Sequence, residues 1–384
     1  MNAYAAHAAL ELREGGIQLP CEPGTDAPTQ RQLAQWLASY QLENIAQTFI
    51  VPTAQGLQCA LSLRQEQQAA WMPQHNTLSL HQHLAHEALS SDVMALEREI
   101  VVALLGSPLR FSFASLEALR SHVRVRRHMT LAARKTALAF KTEAAERPED
   151  LWQYDEESGF TLKPGRSLID ALIAATQPEA TGKLYDFSCY RATEYVILLG
   201  IAQELRAHHP DMLAQLQAIN EVHAIRSGQF HDVYLVEYGS MAQPLPARYY
   251  VPGDRLWFRN PDERSSDVMG YEGSWVIYLG GGFFSNFWKR DQPFTLESKA
   301  IEIYHWRDGV HTDAQGQLQM DESVVEQRVA QTLTDPQAVQ QVLSRMLRMR
   351  DAKGVYAEGG CLDTTRECPR SVSRDHCELV LPSF

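Results

Sequence analysis

The chain has 384 residues, a formal net charge of −12, and is 45% hydrophobic and 21% charged. Those proportions exclude a disordered or collagen-like polymer, and the acidic balance argues against nucleic acid as the main partner. The length exceeds one ordinary hydrophobic core, so two or three units are expected.

In chain order, Met1–Gly15 carries Glu11 and Glu14 and lacks a basic start, so no secretory signal is expected there. No run of about 18 apolar residues occurs, so no membrane span is expected either. The protein is expected to be cytoplasmic, or exported without an N-terminal signal. Residues 15 to 30, with Gly15-Gly16, Pro20, Pro23-Gly24 and Pro28, read as loop. Residues 31 to 105 read as mostly helical: Leu33, Trp36, Leu37 and Tyr40 have helical spacing, and Ser91-Asp92 can cap a helix from Val93 to Leu105. Gly106-Ser107-Pro108 marks a boundary.

Residues 112 to 142 predict another helix with lopsided charge. Arg120, Arg124, Arg126, Arg127, Arg134, Lys135 and Lys141 face a single acid, Glu117. Such a face either meets an acidic partner or membrane surface, or pairs with acids elsewhere in the chain. A short helix is predicted at Ser167–Ala175 and a longer one from Cys189 to about His208. After Gly228 the texture turns to strand: His231–Tyr238, Arg248–Val251, Arg255–Phe258 and Trp275–Leu279, with Phe283-Phe284 beyond the Gly280-Gly281-Gly282 turn. Short connections imply an antiparallel sheet. Helices return at Ser323–Leu333 and Pro336–Arg350, and the last 34 residues read as irregular. Cys361, Cys368 and Cys377 gather there beside His376, at spacings that match no tight zinc pattern. Six cysteines overall are too few for a disulfide scaffold.

One cysteine has surroundings that suggest chemistry. Cys189 follows Tyr185-Asp186-Phe187-Ser188 and precedes the apolar helical run Tyr195–Leu199. A helix start offers free N–H donors and a partial positive charge, which favour the thiolate that attacks carbonyl carbon. A buried structural thiol would give the same local pattern.

Three segments resemble the small bacterial protein-glutamine γ-glutamyltransferases of the Bacillus spore-coat type. They are Pro252-Gly253-Asp254-Arg255-Leu256-Trp257-Phe258-Arg259-Asn260-Pro261-Asp262, the run Glu272-Gly273-Ser274-Trp275 through Gly282-Phe283-Phe284, and Tyr185–Cys189 with Ala192 and Thr193 trailing. The likeness covers about residues 110 to 305. It implies an α+β fold with a papain-like (NlpC/P60-like) core, a nucleophile helix packed on an antiparallel sheet. The units expected are a mainly helical N-terminal region (1–105), a catalytic core (106–309) and a helical C-terminal extension with an irregular tail (310–384).

The resemblance further implies that Cys189 attacks the side-chain amide of a protein glutamine, and that a lysine amine or water resolves the thioester. The partner is then a protein with an exposed glutamine, and no metal or organic cofactor is called for. The family's glutamate before the cysteine is Ser188 here, its second glutamate aligns with Ser274, and a histidine after the paired aromatics is Asn286. Two replacements suggest themselves. Glu272 lies two residues before Ser274, so on an extended strand it would share a face with it. His231, beside Asp232 at the expected strand start, could pair with the thiol, with His223 and His305 as weaker candidates. Two other readings stay open: an NlpC/P60-like cysteine amidase, and a fold retired from catalysis that serves as a binding or assembly module.

Overall fold

The computed structural model describes residues 15–22, 28–54, 56–140, 145–225, 227–351 and 359–381. The N-terminal part is a small mixed layer rather than a helical one. Strands β1 (Gly16–Pro20), β2 (Ala46–Thr53), β3 (Gly56–Leu63) and β4 (Arg110–Ser112) form a sheet in the order β2-β3-β1-β4. β1 runs antiparallel to β3 and parallel to β4. The helical expectation for residues 31 to 105 therefore fails across 46–63. Phe49-Ile50-Val51 is rich in strand-forming residues, and Pro52 lacks the N–H a helix interior needs. Gly56, at φ 111°, supplies the turn. The flanking helices Pro28–Ser39 and Val93–Leu105 do appear, the second capped by Asp92, which accepts from the Met94 N–H. Leu33, Trp36, Leu37, Ile17, Leu61 and Ile100 share one buried cluster.

The helix Leu116–Lys135 carries most of the basic face, and four of its arginines are engaged inside the molecule, while Lys141 lies outside the described residues. Arg124 binds Glu204 at 2.8 Å and Glu117 at 2.6 Å, and Arg127 binds Glu97 at 2.5 Å. Arg126 is fully buried and holds the equally buried Asp254 at 2.7 Å. Arg134 donates to the Ser90 and Leu279 carbonyls. These cations tie layers together instead of awaiting an acidic partner.

A two-stranded ribbon, β5 (Trp152–Asp155) with β6 (Gly159–Leu162), precedes the helix Leu168–Thr176. The long helix Cys189–His208 follows, with the boundaries expected from sequence. It packs against Leu116–Lys135 at a crossing where Gly200 leaves room: a Cβ there would lie 2.5 Å from Met129 Cγ and 2.8 Å from the Met129 nitrogen.

The central sheet has six strands in the order β11-β10-β9-β8-β14-β7, with β7 (Leu235–Tyr238), β8 (Arg255–Arg259), β9 (Gly273–Gly280), β10 (Phe283–Phe284), β11 (Phe294–Thr295) and β14 (Arg366–Pro369). Every neighbouring pair is antiparallel, as expected. Three details differ from expectation. Arg248–Val251 is not a strand, because its N–H groups bond to side chains, Tyr250 to Thr77 Oγ1 and Val251 to Asp254, instead of to a ladder. Residues Ser227–Tyr234 are helical, so His231 lies on a helix and the strand starts only at Leu235. Phe230 and Tyr234, four residues apart, bury their rings together at 4.6 Å, which is helical spacing. The C-terminal tail is also not all irregular, because β14 inserts between β7 and β8.

The Pro252–Asp262 segment is architecture. Gly253 sits at φ 88°, and a Cβ there would meet the Arg126 carbonyl oxygen at 2.9 Å. Asp254 accepts from Arg126, from the Val251 N–H at 2.7 Å and from the Tyr238 hydroxyl at 2.5 Å. Asn260 donates to Ser265 Oγ and the Tyr271 carbonyl, and Asp262 caps the short helix Glu263–Ser266. Beyond β11, Thr295 and Ser298 form a capping box for the helix Leu296–Gly309. The hairpin β12 (Val310–Thr312) with β13 (Leu318–Met320) follows, then the helices Glu322–Leu333 and Pro336–Met346, which pack on Leu296–Gly309.

Candidate active site

Cys189 is the first residue of its helix. Ser188 is the N-cap, and its hydroxyl accepts from the Arg191 N–H at 3.3 Å. The side chain at this position thus satisfies one of the free donors of the first turn. Backbone N–H groups of Trp275, on β9, and of Tyr190 donate toward the Cys189 sulfur. The helix start and the sheet therefore meet at the thiol.

The thiol borders a cavity of about 600 Å³. Aromatic rings form much of the wall: Phe140, Tyr271, Trp288, Phe294 and Trp306. Ser274 and Asn286 also line it, which brings the two aligned positions to the cysteine's cavity. Asn286 has a local task, since it donates to the Gln292 carbonyl at 2.9 Å and accepts from the Lys289 N–H at 3.1 Å. The charged residues of the lining are Lys289, Lys299, Glu302, Glu322 and Glu326. Four of these pair among themselves, Lys299 with Glu302 at 2.9 Å and Lys289 with Glu326 at 2.5 Å, while Glu322 accepts from the Tyr271 hydroxyl at 2.7 Å.

Burial pushes the Cys189 thiol above its ordinary range. The Trp275 N–H, the Lys299 charge and the Tyr190 N–H pull the other way, and the Glu272 carboxylate adds to the rise. A buried thiol with no compensating donor would resist ionisation more strongly still.

Glu272 stands one residue ahead of β9, in the turn rather than on the strand. It is exposed, and its carboxylate bends back toward the Gly270 N–H at 3.4 Å. Its charge reaches the thiol, but Gly270, Tyr271, Gly273 and Ser274 line the cavity around it while Glu272 does not. His231 points elsewhere. Its Nδ1 lies 2.7 Å from Glu367 Oε1, and Glu367 also accepts from Arg255 Nε. The Arg255 guanidinium stacks on Tyr190 and Trp275, 4.9 and 4.8 Å from their ring centres. His231 thus connects to the residues behind the thiol. His305 is buried between Asp308 and Thr332 and does not line the cavity, and His223 caps the end of the helix Pro210–Val222.

Sequence reading missed Lys299, Glu302 and the aromatic wall. The only local signal was the Thr295–Ser298 cap ahead of Leu296, Ala300, Ile301 and Ile303. Nor did it assign the helix Glu322–Leu333 to the site, although Glu322, Val325, Glu326 and Val329 line the cavity.

The family model described as protein-glutamine gamma-glutamyltransferase matches residues 75–357, extending past the 110–305 span on both sides. A curated relative from Halalkalibacterium halodurans, named protein-glutamine gamma-glutamyltransferase, is 23% identical over 199 residues. That alignment covers 51% of this chain and 64% of the relative. A solved transglutaminase from Geobacillus stearothermophilus, without its C-terminal extension, is similar at 21% identity and a TM-score of 0.39. The match covers 56% of this chain and 97% of that one.

Proposed function

The chain belongs to the protein-glutamine gamma-glutamyltransferase family, a family of enzymes, and on that premise we propose that Cys189 is the nucleophile of an acyl transfer from protein glutamine. The single observation that carries the assignment is the placement of its thiol. It stands at a helix start, under two backbone N–H groups, on the wall of an aromatic-lined cavity. We read this as a papain-like arrangement, with the helix start set against an antiparallel sheet.

In this reading the sulfur attacks the γ-carboxamide carbon and the oxygen takes up negative charge. The Trp275 and Tyr190 N–H groups stabilise that charge, as oxyanion donors do, and ammonia leaves. A lysine amine then attacks the thioester to give an isopeptide bond, or water attacks to give glutamate. Glu272 acts as the base, swinging from its turn toward the thiol when substrate covers the cavity. Its motivation is the electrostatic coupling to Cys189 and its place beside four lining residues. His231 serves as a brace, holding Glu367 and through it Arg255 behind Tyr190 and Trp275. An amidase of the NlpC/P60 type would instead need a histidine facing the sulfur, and none of the cavity-lining residues is histidine.

The test is incorporation of a fluorescent primary amine into casein, with ammonia release measured in parallel without amine. Wild type is expected to be active in at least one assay and Cys189→Ala inactive in both. Glu272→Gln is expected to lose about 10²-fold in kcat/KM, the lower range for removal of a general base. Undiminished turnover in Cys189→Ala would overturn the assignment of the nucleophile, and full activity in Glu272→Gln would remove that residue from the mechanism.

A further inference from the structure

The positions where the family places acids and a histidine hold Ser188, Ser274 and Asn286, none of which carries charge. The cavity nonetheless contains a buried cation. Lys299 lies one turn into the helix Leu296–Gly309, and its side chain is only 4% exposed. Burying an ammonium is costly unless it is paired, so such a residue calls for a reason. Its Nζ donates to Glu302 Oε1 at 2.9 Å and sits 3.9 Å from the centre of the Phe294 ring, with Trp306 at 5.6 Å. Glu302 is its hydrogen-bond acceptor among the described residues. One carboxylate and two ring faces hold the ammonium on the wall that Cys189 also lines.

The other charges around the cavity are poorer candidates. Lys289 is 54% exposed and paired with Glu326, which is 63% exposed, so water screens both. Glu322 is engaged with Tyr271, and Glu272 lies in the exposed turn and opposes a negative sulfur. Arg255 faces Tyr190 and Trp275 from behind, where it is bound to Glu367. Glu194, on the same helix as the thiol, is bound to Arg191. A charge in partly buried surroundings acts about four times more strongly at a given distance than one in water. Lys299 is thus the buried cation that lines the cavity beside the thiol and whose charge favours the sulfur anion.

We propose that Lys299 supplies the positive charge that stabilises the sulfur anion of Cys189 during thioester formation, and that Glu302 positions it. The inference rests on the reading of Cys189 as nucleophile. In the step concerned, a bond forms from sulfur to the γ-carbon as the carbonyl π pair moves onto oxygen. Collapse then breaks the carbon–nitrogen bond, and the nitrogen leaves as ammonia carrying the proton that the thiol gave up. Lys299 keeps its own proton throughout. It replaces by charge what the serines and the asparagine cannot supply.

The test uses the full chain and iodoacetamide, with the rate of Cys189 alkylation followed by mass spectrometry of its peptide between pH 7 and 9.5. Lys299→Met is expected to slow alkylation at pH 8 about tenfold and to move the profile toward higher pH. Lys299→Arg is expected to stay within about twofold of wild type. Glu302→Gln is expected to move the profile the opposite way, because it removes a negative charge near the sulfur while leaving the cation. A purely structural role would not produce shifts of opposite sign. Circular dichroism melting identifies any variant that does not fold. If Lys299→Met fails to fold, Glu302→Gln decides: faster alkylation supports the proposal, and an unmoved or slowed profile overturns it. An unmoved profile in folded Lys299→Met overturns it as well. Because alkylation needs no glutamine substrate, opposite shifts without any amine incorporation or ammonia release would sink the acyl-transfer reading and leave the Lys299 interaction standing.

Discussion

Asp254 shows how a motif residue can be decisive without touching chemistry. It has no exposed surface and accepts from Arg126, Tyr238 and the Val251 N–H at once. Arg126 in turn has no exposed surface and sits on the helix that packs against Cys189–His208. Replacing Asp254 by Ala leaves a buried guanidinium without its counter-charge, and breaking such a pair costs about 3–5 kcal/mol. We expect urea denaturation of Asp254→Ala to show a loss of that size, and a loss below about 1 kcal/mol would mean that water or a rearranged partner compensates Arg126. At this scale the sequence was legible where interactions are local. The Ser188 cap and the helix start at Cys189 are nearest-neighbour features, so the residues themselves announce them. Lys299 could not be read this way, because nothing within its own turn says that Cys189 will lie across the cavity. The placements of Glu272 and His231 missed for a related reason. Glu272 was placed from strand periodicity and His231 at an expected strand start, and neither residue lies on a strand.

Among the elements, the crossing of Leu116–Lys135 with Cys189–His208 fixes where the thiol emerges. Gly200 is the contact that permits it. A methyl group at Gly200 would approach both the Met129 side chain and its backbone nitrogen, at 2.5 and 2.8 Å. The side chain can turn aside, but the backbone of a packed helix cannot. Gly200→Ala gains helix propensity of about 1 kcal/mol yet overpacks the crossing, which typically costs 1–3 kcal/mol or more. We expect a net fall in the urea midpoint and slower Cys189 alkylation, as the helix start shifts relative to β9. A variant more stable than wild type would show that the crossing has slack. Helices in this chain were legible because their caps are written locally, at Asp92, Ser115, Ser167 and Ser188. Short strands were harder. β2 and β3 were taken for helix because a hairpin with a single glycine turn leaves little punctuation. β14 was taken for irregular chain because its four residues are all buried between two neighbours, without the alternation that marks a half-exposed strand.

Across the whole molecule, a buried carboxyl links the N-terminal layer to the sheet of the candidate site. Glu99, on Val93–Leu105, accepts from the Gly281 N–H at 2.8 Å, in the turn between β9 and β10. Its carboxyl is 3.8 Å from the His86 ring, and Arg134 lies near enough to favour its ionised form. Burial outweighs both the N–H and the arginine, pushing Glu99 up to about 7. The consequence for stability has a definite sign. A carboxyl whose folded value is raised above its unfolded value, near 4.5, binds its proton more tightly in the folded state. Its contribution is complete below about pH 4.5 and is lost as pH rises through about 7. A shift of that size corresponds to on the order of 3 kcal/mol between the two limits. We expect the urea midpoint of wild type to fall between pH 5.5 and pH 8, and Glu99→Gln, which keeps an acceptor for Gly281, to lose most of that fall. Equal pH dependence in the two proteins would assign the effect to other groups. Because Gly281 closes the β9-β10 turn, ionisation of Glu99 should also reach β9, whose Trp275 N–H addresses the thiol. Hydrogen exchange at residues 275–285 would then quicken between the same two pH values, beyond the intrinsic rise in exchange, in wild type and not in Glu99→Gln.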